Sequence, residues 1–255
     1  MKKSLKNLST LFLVLVMTVS CIAVAYSQES SEKAKQIVEK TFQKYSDLLK
    51  KDGKSLNSVA VKLSIKGSGQ IPMGGSGNMP LDIDVIVELY AARPHHQPGS
   101  ARIRRGAWVL IDWGARVAGY CSDLTRVVFI GRIPPRMGEV YEVVRRAQAA
   151  GIAAARSGAG CKSVDAAARR VIEEAGYGEQ FMHSLGHGLG RQVHEFPGLG
   201  RKAKKRLRAG MVVTIEPGIY LPGVGGVRIE DDILITRDGC RRLSGLSRDA
   251  GAMML

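Results

Sequence analysis

At 255 residues, 45% of them hydrophobic, the chain has material for one large domain or two small ones. A net charge of +15 invites anionic partners. An aromatic content of 5% is poor for stacking on bases, however, and no helix-turn-helix, zinc-finger or RNP pattern accompanies the charge, so no nucleic-acid partner is expected.

The N-terminus reads as a signal peptide over residues 1–27. Lys2, Lys3 and Lys6 form a positive start, Leu11 to Ala25 an apolar stretch, and Ala25-Tyr26-Ser27 offers small residues for cleavage before Gln28. The stretch is short of the roughly 20 residues that a membrane span takes. A lipid anchor at Cys21, or an uncleaved helix, is the alternative. The leader predicts export to the periplasm or beyond, with membrane contact through the leader alone.

Residues 28–93 read as a helix and β-hairpin segment of uncertain fold. Ile37, Val38, Phe42, Tyr45, Leu48 and Leu49 recur at helical spacing over Ser31–Lys51, and Asp52-Gly53 stops the run. Val59–Ile65 and Ile83–Leu89 alternate in strand fashion, with Gly67–Pro80 between them as a Gly/Ser/Pro-rich loop. A helix followed by antiparallel strands weakly resembles the start of the periplasmic lipoprotein-carrier fold. Near Ala92-Arg93-Pro94 the basic residues switch. Twelve Lys and one Arg precede Pro94, and 4 Lys with 21 Arg follow, which suggests segments of different origin.

After the switch, Trp108–Asp112 and Leu124–Ile130 read as buried strands. Glu139–Arg156 reads as an amphipathic helix with Val140, Val143, Val144, Ala147, Ile152 and Ala153 inward, closed by Gly158 to Gly160. A second helix runs from a Ser163 cap through Glu174 and ends at Gly176. Strands follow around Phe181-Met182, at Met211–Ile215 and at Val227–Ile235. Within this part, Arg201, Lys202, Lys204, Lys205, Arg206 and Arg208 form a dense basic run that reads as a solvated face. The cysteines, Cys21, Cys121, Cys161 and Cys240, lack C-x-x-C spacing and indicate neither a zinc finger nor a disulfide framework.

Five residues carry the chemistry: Asp112, Asp123, His187, Glu216 and Glu230. Four carboxylates and an imidazole suit a pair of divalent ions such as manganese or cobalt. Asp112 ends Val109-Leu110-Ile111, Glu216 follows Val212-Val213-Thr214-Ile215, and Glu230 follows Ile229. Each is attached to a segment that must be buried, and an unpaired buried carboxylate is costly, so something positive must meet it. A structural ion-pair cluster around Arg228 is the alternative.

Asp112-Trp-Gly-Ala, Gly119-Tyr-Cys-Ser-Asp123-Leu-Thr125-Arg126, His183-Ser-Leu-Gly-His187-Gly-Leu-Gly, Thr214-Ile-Glu216-Pro217-Gly218 and Val227-Arg228-Ile-Glu230-Asp231 resemble the pita-bread metallopeptidases. Within that family the Asp123-x-Thr125-Arg126 and Arg228-Ile-Glu230-Asp231-Asp232 runs resemble the Xaa-Pro aminopeptidase and prolidase type. The resemblance implies an α+β pita-bread (creatinase/aminopeptidase) fold over residues 94–248, and a pair of divalent metal ions, manganese first, with cobalt or zinc as options. Asp112 would chelate one ion, Asp123 and Glu230 would bridge both, and His187 and Glu216 would complete the other. A hydroxide held between the ions would attack the N-terminal Xaa-Pro bond, so the implied partner is a peptide with proline at its second position. His183, His194 and Glu216 would be catalytic. His95 and Arg228 would lie on the substrate side, Arg228 by orienting the carboxylates.

The resemblance covers about 155 of the 255 residues. The two helices that open the family's first half are not recognisable, which predicts an incomplete fold with an uncovered sheet face. Enzymes of this kind are usually cytoplasmic, against the leader. The alternatives are a catalytically impaired binding module, an exported lipoprotein-carrier-like protein, and, for assembly, a homo-oligomer.

Overall fold

The computed structural model describes residues 67–73, 77–83, 106–114, 116–117 and 119–254, the first two as strand backbone. The leader, the Ser31–Lys51 helix, the Val59–Ile65 strand and His95 lie outside the described residues. The expected loop Gly67–Pro80 instead supplies the ladder itself. β1 (Gly67–Met73) pairs antiparallel with β2 (Gly77–Ile83), from Gly67 opposite Ile83 to Met73 opposite Gly77. Only three residues join the strands, and among the described residues each strand has one partner, so Pro72 and Pro80 can keep their missing N–H on the outer edges.

β3 (Trp108–Trp113) and β6 (Leu124–Phe129) form an antiparallel pair, with the short β4 (Arg116–Val117) and β5 (Tyr120–Cys121) between them. Leu110, Val127 and Phe129 are buried, as the apolar runs require. Then α1 (Pro135–Ala154) begins four residues before the expected Glu139. Pro135 explains the difference: at the first helical position its absent N–H would have no partner and its fixed φ suits a helix. The inward face also differs. Ala153 is exposed, whereas Gln148 is fully buried because its amide donates to the carbonyls of Ile215 (3.3 Å) and Ile229 (3.2 Å) and to the Asp231 carboxylate (3.1 Å).

α2 (Cys161–Glu174) starts at Gly160 without a side-chain cap, so Ser163 lies in the first turn and is not its cap. The Gly160 carbonyl itself accepts from the Ser163 and Val164 amides. The C-terminus follows the sequence: Gly176 has φ +82°, its amide reaches the Glu173 carbonyl and that of Tyr177 reaches Ile172, closing the helix in a Schellman turn.

Phe181-Met182 is not a strand. After a single 3-10 turn (Gly178–Gln180), the Phe181 carbonyl accepts from Arg169, and the Arg169 guanidinium lies 3.9 Å over its ring. Five antiparallel strands follow in the order β13-β12-β9-β7-β8: β7 (Gly186–Gly188), β8 (Glu195–Leu199), β9 (Val212–Ile215), β12 (Asp231–Ile235) and β13 (Cys240–Arg242). The expected strand Val227–Ile235 is two. Its first part, β11 (Gly225–Arg228), pairs with β10 (Gly218–Leu221), and Ile229-Glu230 carries the chain across to β12 in the larger sheet. The two helices close one core with these sheets, in which Val144, Ala147, Val164, Ala168, Val213, Ile215, Val227 and Ile233 are fully buried. No helix among the described residues is long and apolar enough to cross a membrane.

Candidate metal centre

β3 and β6 bring Asp112 and Asp123 to one end of their hairpin, the crossing from β11 to β12 supplies Glu230, β7 supplies His187, and the residue after β9 is Glu216. His187 stands where it does because Gly186 and Gly188 flank it. A Cβ on Gly186 would lie 2.0 Å from the Thr214 carbonyl oxygen, and one on Gly188 would lie 2.5 Å from that of Phe196. Only glycine lets β7 run this close to both neighbours.

Ligating atoms of Asp123, His187 and Glu230 lie within 4.8 Å of one another. His187 Nε2 is 3.3 Å from Glu216 Oε1 and 3.7 Å from Asp123 Oδ2. Its Nδ1 lies 3.0 Å from the Gly188 carbonyl, which can only accept, so the proton sits on Nδ1 and the Nε2 lone pair faces the carboxylates. Burial lowers the pKa of His187 and keeps the ring neutral. Acceptors thus converge on acceptors, an arrangement that is stable only with a proton or a cation between them.

The carboxyls show the same deficit of positive charge. Burial, then the Asp112, Glu216 and Asp232 carboxylates, push Asp123 up to about 9. Burial raises Glu216 to about 7 against the opposing pull of Arg228, and burial with Asp123 lifts Glu230 well above the carboxylate range. Burial likewise raises Asp232 to about 7. The Asp232 carboxylate accepts the Asp123 amide at 3.1 Å through Oδ2, while its Oδ1 has no hydrogen-bond partner among the described residues. The donor set therefore fits divalent cations: hard oxygen ligands and one neutral imidazole, with too little positive charge of their own.

Asp112 stands apart from the three-residue cluster. Its carboxylate meets the guanidinium of Arg228, which is itself buried and also donates to Thr125 Oγ1 (3.1 Å) and Tyr220 Oη (3.0 Å), with Glu216 Oε2 at 3.9 Å. The Arg228 pairing expected as an alternative is thus present for Asp112, while Asp123 and Glu230 form no ion pair with a lysine or arginine among the described residues. His194 stacks beside the cluster, its ring 4.3 Å from that of His187. His183 lies at the rim, its Nε2 2.9 Å from Tyr220 Oη.

Four supporting residues carry no role in the sequence reading. Thr125 Oγ1 donates to Glu230 Oε2 at 2.5 Å. Thr214 Oγ1 accepts the His187 amide and donates to Glu216 Oε1, both at 3.1 Å. Tyr220 links His183 to Arg228, and the fully buried Arg126 donates to the Glu230 carbonyl (2.5 Å), to Asp231 (2.7 Å) and to the carbonyls of Leu246 and Ser247. The signal for the threonines was their place two residues from a ligand on the same strand face, and for Arg126 its place in the Asp123-x-Thr125-Arg126 run; for Tyr220 there was none.

A model of metallopeptidase family M24 matches residues 29–237. The Xaa-Pro dipeptidase of Pyrococcus horikoshii is 42% identical over 198 residues, 78% of this chain and 55% of its own length. An uncharacterised peptidase of Staphylococcus saprophyticus is 45% identical over 179 residues, 70% and 51% of the two chains. Among solved structures, the prolidase from Pyrococcus horikoshii superposes with TM-score 0.63 at 46% identity, covering 65% of this chain and 48% of that one. The X-Pro aminopeptidase from Thermotoga maritima gives 0.64 at 40% identity, covering 68% and 49%. The chain spans about half the length of the curated relatives it matches.

Proposed function

Because the chain belongs to metallopeptidase family M24 and carries part of its pita-bread fold, we propose that it is a metal-dependent peptidase of the Xaa-Pro type, releasing the residue ahead of a proline. The observation that carries this reading is the convergence of Asp123, His187 and Glu230 within 4.8 Å, short of positive charge. In this reading Asp112, Asp123, His187, Glu216 and Glu230 would hold a pair of divalent ions. Manganese is our first choice because four of the five ligands are hard carboxylates. Bound there, such ions would activate a water as nucleophile near neutral pH and polarise the scissile carbonyl.

The side chains do the rest. Glu216, which would stand as a carboxylate beside the scissile bond once a cation has replaced its proton, is our assignment for the group that accepts the proton released in the attack and passes it to the leaving nitrogen. His183, hydrogen-bonded through Tyr220 to Arg228, and His194, stacked on His187, are assigned to the developing oxyanion and to proton delivery. Arg228 would offset the charge of Asp112 and Glu216, and Thr125 fixes Glu230 Oε2.

The test is release of free amino acid from Ala-Pro, Ala-Pro-Ala and Ala-Ala-Ala by the purified chain, with manganese and then with chelator. Cleavage confined to the proline peptides and abolished by the chelator supports the reading, and the first two substrates separate dipeptidase from aminopeptidase. Tight manganese binding without turnover would move the chain to the class of binding modules.

A further inference from the structure

The basic run left unused by this chemistry lies beside it. β8 leaves His194 at the metal end and runs outward through Phe196 to Gly198, and these last two residues line a cavity of about 760 Å³. His183 and Ser184 line it together with Lys202, Lys204 and Lys205. One open space therefore touches both the histidine bonded to Tyr220 and the lysines. Phe196, 94% exposed, and Met182, 60% exposed, give it an apolar flank.

The charges on its wall are not balanced. Arg169 is matched by the buried Asp165 carboxylate at 2.9 Å, and Arg201 has Glu173 at 3.7 Å. Lys202, Lys204 and Lys205 are exposed and form no ion pair among the described residues, and the acid on the lining is Glu179. A peptidase that removes one N-terminal residue has on that side only an ammonium group, which lysines repel. The part of a substrate able to extend into the cavity is the peptide beyond the scissile bond. Resting on the peptidase reading above, we infer that this cavity is a subsite for substrates bearing Asp or Glu within the first two residues after the proline.

The probes are Ala-Pro-Glu-Glu, Ala-Pro-Ala-Ala and Ala-Pro-Lys-Lys, all amidated so that no terminal carboxylate competes. Equilibrium binding is measured first on the metal-free chain, where nothing turns over, and then kcat/KM for alanine release with manganese. The acidic peptide is expected to exceed the neutral one by about fivefold, the size that exposed charge pairs allow, and the lysine peptide to fall below both. Raising the salt to ~0.5 M should flatten the order, and the K204E/K205E double variant should invert it. Equal binding of the three peptides, or an order indifferent both to salt and to K204E/K205E, overturns the inference. Charge-ordered binding with no alanine released from any peptide leaves the subsite standing and sinks the peptidase reading; alanine release without charge order does the reverse.

Discussion

Raising the pH of the metal-free protein from 5.5 to 7.5 should destabilise it, and manganese should abolish that loss. Asp123 (about 9), Glu216 (about 7), Asp232 (about 7) and Glu230 all hold protons more tightly folded than unfolded. Where the folded state binds more protons than the unfolded, stability falls as pH rises. His187 acts in the opposite sense: its lowered pKa favours folding as pH rises towards the ordinary histidine value. One net proton retained only by the folded chain is ~1.4 kcal/mol per pH unit, so about 3 kcal/mol over this interval is the least expected. For a protein of this size that corresponds to a fall in Tm of roughly 6–12 °C. Cations replace those protons, so manganese should raise Tm far more at pH 7.5 than at pH 5.5. Thermal melts at the two pH values, in chelator and in manganese, measure both quantities. A chelated protein equally stable at both, or a manganese shift of the same size at both, would refute the account of a carboxyl cluster short of positive charge.

Other substitutions probe the supports of the cluster. Glu230→Gln keeps the Thr125 contact but removes a group whose proton is held more tightly in the folded chain, so melts in chelator should depend less on pH and the protein should no longer respond to manganese. Thr125→Val strips a hydroxyl that joins Glu230 to Arg228 and should cost about 1–3 kcal/mol in urea unfolding. Gly186→Ala would force β7 away from β9 and displace His187; calorimetric titration should find weakened manganese binding, with at least ~2 kcal/mol of stability lost. Arg169→Leu leaves the buried Asp165 carboxylate unpaired and should cost about 3–5 kcal/mol by denaturant unfolding.

The strands and helices that build the site were legible wherever an apolar run or stripe had to be buried. Val212–Ile215, Leu124–Phe129 and α2 are examples, with Gly176 marking the helix end through its positive φ. Less legible were segments whose carbonyls and amides are satisfied by side chains. Phe181 spends its carbonyl on Arg169, and Gln148 is buried because two carbonyls and a carboxylate claim its amide. Hydrophobic period carries no trace of such long-range partners. The apolar run Val227–Ile235 was found, but not its division between two sheets, since both halves are equally buried. At the cluster, ligand identity came from residue type and resemblance; that Asp112 turns towards Arg228 while Asp123, His187 and Glu230 gather within 4.8 Å is geometry alone.

Glu230 occupies the passage where the chain leaves the β10–β11 ribbon for the five-stranded sheet, its amide tied to the Thr125 carbonyl at 3.1 Å and its carbonyl to Arg126. Three separate pieces of architecture, the ribbon, the sheet and the β3–β6 hairpin, therefore share one joint. Relative sliding of any two of them alters the spacing of the ligands, so the tightness with which an ion is gripped becomes a gauge of how well those pieces are seated against each other. Substitutions far from the cluster, in the packing between α1 and the sheets, inherit influence over it by that mechanical route.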